Sequence, residues 1–406
     1  MPNRPIINVH CHLLNFKRIP DKMTKLLSHI PENIADDRWF SVAAGALARL
    51  LPGSKYDRVK RFLALLKCSI PELTRLYMKE MEQAGIDLCT PLMMDLEPAA
   101  PESTDINHPW ETQIDLVSSE ARRYPWKIFP FVMFDPRRPD AADICIDALE
   151  NKGFIGVKIY PGLGYYPSEV FYDGKEPESG NIKKLYAYCG DRKVPITVHA
   201  STGGAYSTEH DKDRESGAWP FTEISNWIHA IREYNLKINF AHLGGNYLNP
   251  DDQKRTLSGS WRRQILNLIA RSRDERGFGE IFADLSFHDM ALSRKFRSIY
   301  FRDLAALIDD ERYAGGILFG TDANMISHTW LEKEYIAPFK NHLSLPHQEA
   351  IFSANPTRFL FPDGWIPDSY IRFLADHDTD GKVFSDLPEW IFQTADGYRV
   401  ASILRQ

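Results

Sequence analysis

The strongest constraint in this chain is a recurrence of eight short β-branched or aromatic runs, each followed by a polar or turn residue. They read PIINVHCH, GIDLCTPLMMD, KIFPFVMFD, GFIGVKIYP, VPITVHAS, KINFAHLGG, EIFADLSFHD and GGILFGTDAN. Most of the stretches between them, such as DAADICIDALENKG and FTEISNWIHAIREYN, space their apolar residues as helices do. Near-continuous apolarity suits strands whose outer face is covered by helices. Strand then helix, repeated eight times, is the pattern of a parallel barrel. The expected fold class is therefore α/β, a (β/α)8 TIM barrel over residues 1–364. Two segments exceed a minimal barrel. Residues 13–85, with helical patterns at SVAAGALARLL and YDRVKRFLALLK, read as a helical insertion after strand 1, because a structureless loop of that length is implausible. Residues 365–406 read as a helical C-terminal extension.

Composition excludes several partners. The 49 Lys and Arg against 55 Asp and Glu leave a formal net charge of −6. Nucleic acid and anionic membranes both require clustered basic excess, so neither is expected. No apolar run reaches the length of a membrane span, and MPNRPIINVH lacks a signal-peptide layout. The five cysteines include no C-x-x-C pair, which fits reduced thiols in a cytoplasmic enzyme. A homo-oligomer is compatible with this composition, with the insertion as one surface for a partner subunit.

Polar groups collect at the carboxyl ends of the runs, where barrel enzymes build their sites. His10 and His12 are two apart in a strand, so both imidazoles face the barrel mouth while Cys11 faces outward. Lys158, His199, His242 and Asp322 end runs four, five, six and eight. Four histidines and a carboxylate match what a Zn²⁺-type ion accepts. The alternative is a set of unrelated buried polar groups, each needing its own hydrogen-bond partners. Asp95, Asp135 and Arg137, Tyr160, the Asp284/Ser286/His288 face, Asn324 and His328 are weaker candidates, as readily explained by loop capping or barrel salt bridges. Together they suggest a polar mouth with cationic members, suited to a carboxylate-bearing small molecule.

These motifs resemble the amidohydrolase superfamily, in particular the amidohydrolase-2 branch that includes aromatic-acid decarboxylases. NVHCH resembles its first-strand H-x-H, TVHAS its fifth-strand histidine, FAHLGG its sixth-strand His with a Gly pair, and FGTDAN its eighth-strand Asp. SANPTRFLF resembles the branch's closing helix, so the likeness runs over about residues 6–361. It implies His10, His12 and His199 as metal ligands, with Asp322 as ligand or general base. His242 would be a second-metal ligand or an acid beside the substrate. Lys158 would be carboxylated and bridge two ions, or remain a cation facing an anionic substrate, with a structural ion pair to a neighbouring carboxylate as the plain alternative; one metal, zinc by preference, is the simpler reading. Tyr160 and Arg137 are further candidate substrate contacts. The leading function is hydrolysis of an amide, cyclic amide or lactone through a metal-activated water. Non-oxidative decarboxylation of a small aromatic or unsaturated acid is the alternative. A metal-binding barrel without catalysis is a third reading, against which the retention of Asp322 argues.

The tail carries one further pattern. Asp376-His377-Asp378-Thr379-Asp380-Gly381-Lys382-Val383 matches the first eight positions of an EF-hand loop, flanked by the helical patterns SYIRFLA and PEWIFQTA. Calcium would be held by Asp376, Asp378, Asp380 and the Lys382 carbonyl. The twelfth position is Leu387 rather than Glu, and an acidic Asx-type turn accounts for the same residues.

Overall fold

The eight runs become eight strands. The computed structural model describes residues 4–13, 68–99, 110–201, 204, 207, 219–245, 261–324, 330–379 and 381–401. Both helical patterns of the insertion, His328 and Asp380 lie outside these residues. The strands are β1 (Ile7–Cys11), β2 (Leu88–Pro91), β3 (Phe131–Phe134), β4 (Gly156–Ile159), β5 (Pro195–Val198), β6 (Lys237–Phe240), β7 (Glu280–Asp284) and β8 (Ile317–Leu318). The helices that follow them are α1 (Ile70–Ala84), α2 (Trp110–Arg123), α3 (Ala141–Asn151), α4 (Glu178–Arg192), α5 (Ile228–Tyr234), α6 (Trp261–Asp274), α7 (Arg297–Asp309) and α8 (Glu332–His342).

Strands β3 to β8 form one parallel sheet in sequence order, and β1 pairs with β2 in parallel. Backbone hydrogen bonds join the two pieces into a ring. Cys89 N donates to Lys127 O at 2.9 Å and Met93 N to Phe131 O at 3.1 Å, linking β2 to β3. Val9 N donates to Phe319 O and His12 N to Ala323 O, both at 3.1 Å, linking β1 to β8. A closed ring leaves no strand edge exposed.

Helix α1 lies inside the 13–85 stretch yet serves as the barrel's first helix, packing against α8. Its limits are written locally. Ser69 and Glu72 make a reciprocal capping box, and Gly85 ends the helix at φ +66°. The extension departs from the helical expectation after its first half. Asp368–Ala375 is a helix and Lys382–Ser385 a helical turn, but Ile391–Thr394 and Gly397–Val400 form an antiparallel hairpin. PEWIFQTA therefore does not continue as helix; its Ile391–Thr394 segment pairs residue for residue with Gly397–Val400. The extension packs on the barrel beside β3. The Tyr370 ring stacks on Phe129 at 4.5 Å and its hydroxyl donates to Ile128 O at 3.0 Å.

One buried polar network joins β1, α1, the turn after β8, and α8. Asn8 Nδ2 donates to the Tyr77 hydroxyl and to Thr321 Oγ1, both at 2.8 Å, and Thr321 donates to Glu332 Oε1 at 2.8 Å. Glu332 Oε2 has no donor among the described residues, and burial, with Glu80 and Asp322 adding to it against the Thr321 bond, raises this carboxyl to about 8. A carboxyl raised in the folded state contributes fully below its unfolded value and loses that contribution as pH climbs through the folded one. Stability should therefore fall between about pH 4.5 and pH 8, with a slope of at most about 1.4 kcal/mol per pH unit. Glu332→Gln is expected to flatten this fall. Urea midpoints at pH 6 and pH 9 check it, and an equally steep decline in the variant counts against Glu332 as its source.

Candidate metal centre

At the end of β1 the alternation of side chains sends His10 and His12 to one face, and the turn after β8 brings Asp322 between them. His10 Nε2 and His12 Nε2 are 3.3 Å apart. Asp322 Oδ1 lies 3.1 Å from His12 Nε2 and 3.5 Å from His10 Nε2, with no donor aligned on it among the described residues. The remote nitrogens fix the tautomers. His12 Nδ1 faces the Leu92 carbonyl at 2.9 Å and His10 Nδ1 faces Asp284 Oδ2 at 3.0 Å. Both partners only accept, so each Nδ1 carries the hydrogen and each neutral Nε2 presents a lone pair. Burial, opposed by Asp284, lowers His10 to about 4, which keeps it neutral at pH 7. Three electron pairs thus converge on one point inside the protein, and a cation is what relieves their repulsion. Ligands 2.0–2.1 Å from a tetrahedral ion lie about 3.3 Å apart, close to the spacing here.

Asp284, at the end of β7, organises the surroundings. Its carboxylate accepts from His10 Nδ1 at 3.0 Å, Asn239 Nδ2 at 2.7 Å, His242 N at 3.1 Å and Ser286 N at 3.0 Å, and also from the Ser286 hydroxyl. Burial pushes this acid up, but His10 and these hydrogen bonds outweigh it and hold Asp284 well below the usual carboxylate range. Asp322 is held low in the same way, burial being overcome by His12, His10 and His242.

His242 and His199 form the next layer. His242 Nδ1 lies 2.9 Å from Ser286 Oγ and 3.2 Å from Ser286 O, so its Nε2 presents the lone pair to His199 Nδ1 at 3.3 Å. His199 must then donate from Nδ1, leaving its own Nε2 as an acceptor. That Nε2 faces Gly204, where a Cβ would come within 2.9 Å of it and 2.1 Å of the Tyr160 hydroxyl. The Tyr160 ring stacks on His199 at 4.0 Å. Among the described residues the three-ligand groups are His10–His12–Asp322 and His10–His242–Asp284, and His199 joins neither. The second group is already saturated by hydrogen bonds to Asp284.

Lys158 is fully buried on β4, and its amine has no hydrogen-bond partner among the described residues. Burial lowers it to about 8, against the pull of Asp284 and Asp322. Arg137 is bound instead to Asp135, Nη2 to Oδ2 at 2.6 Å and Nε to Oδ1 at 2.9 Å. Asp95 pairs with Arg138 at 2.5 Å. These are the barrel salt bridges that the weaker candidates allowed for. In the tail, Asp376 and Asp378 flank the end of the Asp368–Ala375 helix, and the Lys382 carbonyl accepts from Asp386 N at 3.1 Å as the next helical turn begins.

Backbone strain concentrates at this rim. His242, Leu243, Phe287, Asp322 and Asn324 hold φ of +62°, +43°, +56°, +61° and +69°, a region costing about 1–3 kcal/mol per non-glycine residue. Sequence reasoning singled out the metal-facing groups but passed over Asp284, Asn239 and Ser286 as their supports. The signal was the D-x-S-x-H pattern of run seven, of which only Asp284 is in β7; Ser286 and His288 follow in the turn, where Phe287 is left-handed, so the shared strand face expected for them is not formed.

Known proteins resemble this chain in family and in fold. A family model described as Amidohydrolase matches residues 7–361. No curated protein matches the chain. Among solved structures, 5-carboxyvanillate decarboxylase from Novosphingobium aromaticivorans, complexed with manganese and 4-hydroxy-3-methoxy-5-nitrobenzoic acid, is 14% identical, with 88% of this chain and 96% of that one covered and a TM-score of 0.52. An uncharacterized TIM-barrel protein from Bordetella bronchiseptica is 14% identical over 88% and 98% of the two chains, TM-score 0.51. A 2,6-dihydroxybenzoate decarboxylase from Rhizobium is 16% identical over 90% and 100%, TM-score 0.50. At these identities the likeness is one of fold.

The purified protein is expected to carry one divalent transition ion per chain, lost in His10→Ala and Asp322→Ala. Asp284→Asn, which leaves every proposed ligand in place, should weaken metal affinity by about 10- to 100-fold in competition with a chelator. Unchanged affinity in that variant would show that Asp284 does not orient His10.

Proposed function

The chain belongs to the amidohydrolase family, and from that premise we propose that it is a metal-dependent hydrolase of small carboxylate-bearing molecules. The observation that carries the proposal is the convergence of His10 Nε2, His12 Nε2 and Asp322 Oδ1 within 3.5 Å of one another. His199, whose Nε2 is an acceptor in the tautomer its Nδ1 contact requires, is the proposed fourth donor. Zinc is the ion we expect from two or three imidazoles and a carboxylate, with manganese as the alternative. Such an ion, when bound, polarises a carbonyl and makes a water acidic near neutral pH.

The chain's own groups supply the rest. Lys158 binds the substrate carboxylate, since its buried amine has no hydrogen-bond partner among the described residues and only the Tyr160 ring, 5.5 Å away, beside it. As the water oxygen bonds to the carbonyl carbon, its proton passes to Asp322 Oδ1 and the carbonyl π pair moves onto oxygen. When that pair returns, the bond to nitrogen or oxygen breaks, and the proton taken up by Asp322 passes through His242 Nε2 to the leaving group. The imidazolium form of His242 is stabilised by Asp284 through the Ser286 hydroxyl. Buried Tyr160 and His199, with the exposed Gly204 against them, close one side of the site.

A second reading, non-oxidative decarboxylation of a small aromatic or unsaturated acid, is favoured by the same unpartnered Lys158, which would anchor the departing carboxylate. Arg137, the other candidate anchor, is taken by Asp135. Calcium at Asp376, Asp378, Asp380 and Lys382 is not needed by either reaction.

Turnover in ¹⁸O-labelled water separates the two. Hydrolysis places ¹⁸O in the carboxylic product, whereas CO₂ release with no label in the organic product rejects hydrolysis. Lys158→Ala is expected to keep its metal and raise KM at least about 10-fold. Because burial places the amine near 8, deprotonation should make wild-type KM climb as pH passes that value. A KM indifferent to both changes removes Lys158 from substrate binding.

A further inference from the structure

His288 lies in the loop that follows β7, is buried, and takes no part in the chemistry above. Its Nε2 lies 2.9 Å from the His242 carbonyl, and its Nδ1 lies 3.0 Å from the Tyr300 hydroxyl of α7. A carbonyl only accepts, so Nε2 carries the hydrogen and Nδ1 accepts from Tyr300. Burial lowers this imidazole to about 4, so the neutral form with that single tautomer persists at pH 7. The His288 amide in turn donates to the Tyr335 hydroxyl at 2.9 Å.

The residue it grips is strained. His242 and Leu243 are consecutive non-glycine residues in the left-handed region, followed by Gly244 at φ +79° and Gly245 at φ +90°. The end of β7 and the loop after it hold His242 at three points: Asp284 accepts from its amide at 3.1 Å, Ser286 Oγ accepts from Nδ1 at 2.9 Å, and His288 donates to its carbonyl at 2.9 Å. Two of these grips are backbone bonds that set the turn, and only the third acts on the ring.

We infer that His288 is a positioning residue that holds the His242 turn in its left-handed form and so aims the His242 imidazole into the site. This rests on the proposed role of His242, and it extends the machinery to a residue that touches neither metal nor substrate. Releasing the carbonyl lets the turn relax toward ordinary backbone angles. A displacement near 1 Å is enough to lower a rate by about 100-fold.

The test uses two amide variants of similar size and polarity. In His288→Gln the side-chain NH₂ reaches the place of Nε2, whereas in His288→Asn it reaches only the place of Nδ1. His288→Asn is expected to lower kcat about 10- to 100-fold at unchanged KM and metal affinity, and His288→Gln to restore most of it. Long-range ¹H–¹⁵N spectra of ring-labelled histidine, with His242 assigned from His242→Gln, should show one Nδ1–H form in wild type and His288→Gln. In His288→Asn the His242 signals should shift or double. Wild-type kcat and unchanged His242 signals in His288→Asn overturn the inference, as does equal damage in both variants. Should the wild type turn over no carboxylate substrate in either proposed reaction, the functional reading fails and the ring signals alone decide this one.

Discussion

A buried carboxylate with five donors, Asp284, is the constraint on which the rest of the centre depends. An ionised group in the barrel's interior is tolerated only where its lone pairs are occupied. Here the occupying groups are the ones the site needs held: the His10 ring, the His242 backbone, and the Ser286 hydroxyl that meets both imidazoles at 2.9–3.0 Å. The same bonds that offset desolvation therefore choose the tautomers. His10 and His242 must carry hydrogen on Nδ1, which turns their Nε2 lone pairs toward the mouth. Function and stability are coupled at this one residue.

The left-handed residues at the rim show a second side of this coupling. Asp322 and Asn324 would relax if left alone, but the turn is tied back to β1. Asp322 N donates to His10 O at 2.8 Å, and Asn324 donates to the His12 carbonyl. The turn thus delivers a carboxylate between two imidazoles by bonding to the backbone of the residues that carry them. Strand one and strand eight position each other, and ring closure is what makes this possible. The Asn8–Tyr77–Thr321–Glu332 network extends the support outward to α1 and α8.

Much of this was legible in the sequence because it rests on short-range rules. Period-two alternation put His10 and His12 on one face, and eight apolar runs gave a barrel with its polar residues at the carboxyl ends. The capping box at Ser69 and Glu72 and the glycine at 85 mark α1 in the same local way, although its place as a barrel helix inside a long insertion does not follow from them. What alternation does not reveal is which polar side chains meet across the barrel. Asp284 reads in sequence as a loop cap or salt-bridge partner, Asn239 carries no signal of its own, and Arg137 reads as an available cation although the fold pairs it with Asp135 two residues away. The tail misled for a different reason. PEWIFQTA has enough apolar residues for either period, and contact with the barrel selected the hairpin over the helix.

The charges at the centre bear on what it can hold. Asp284 and Asp322 bring two negative charges, Lys158 one positive when protonated, and the buried imidazoles of His10 and His288 none at neutral pH. A divalent ion at His10, His12 and Asp322 would leave one net positive charge in a site walled by apolar strands. Such an excess is costly at low dielectric unless an anion answers it, which is the electrostatic case for a monocarboxylate substrate. In the proposed hydrolysis the proton leaving the water goes to Asp322 and stays within the site, so the net charge is the same before and after attack. Lys158 then feels a similar environment in ground state and transition state and contributes uniform binding. The groups that distinguish the two states are those where charge moves, Asp322 and His242, and it is these two that the strained turns and the strand-seven contacts hold in place.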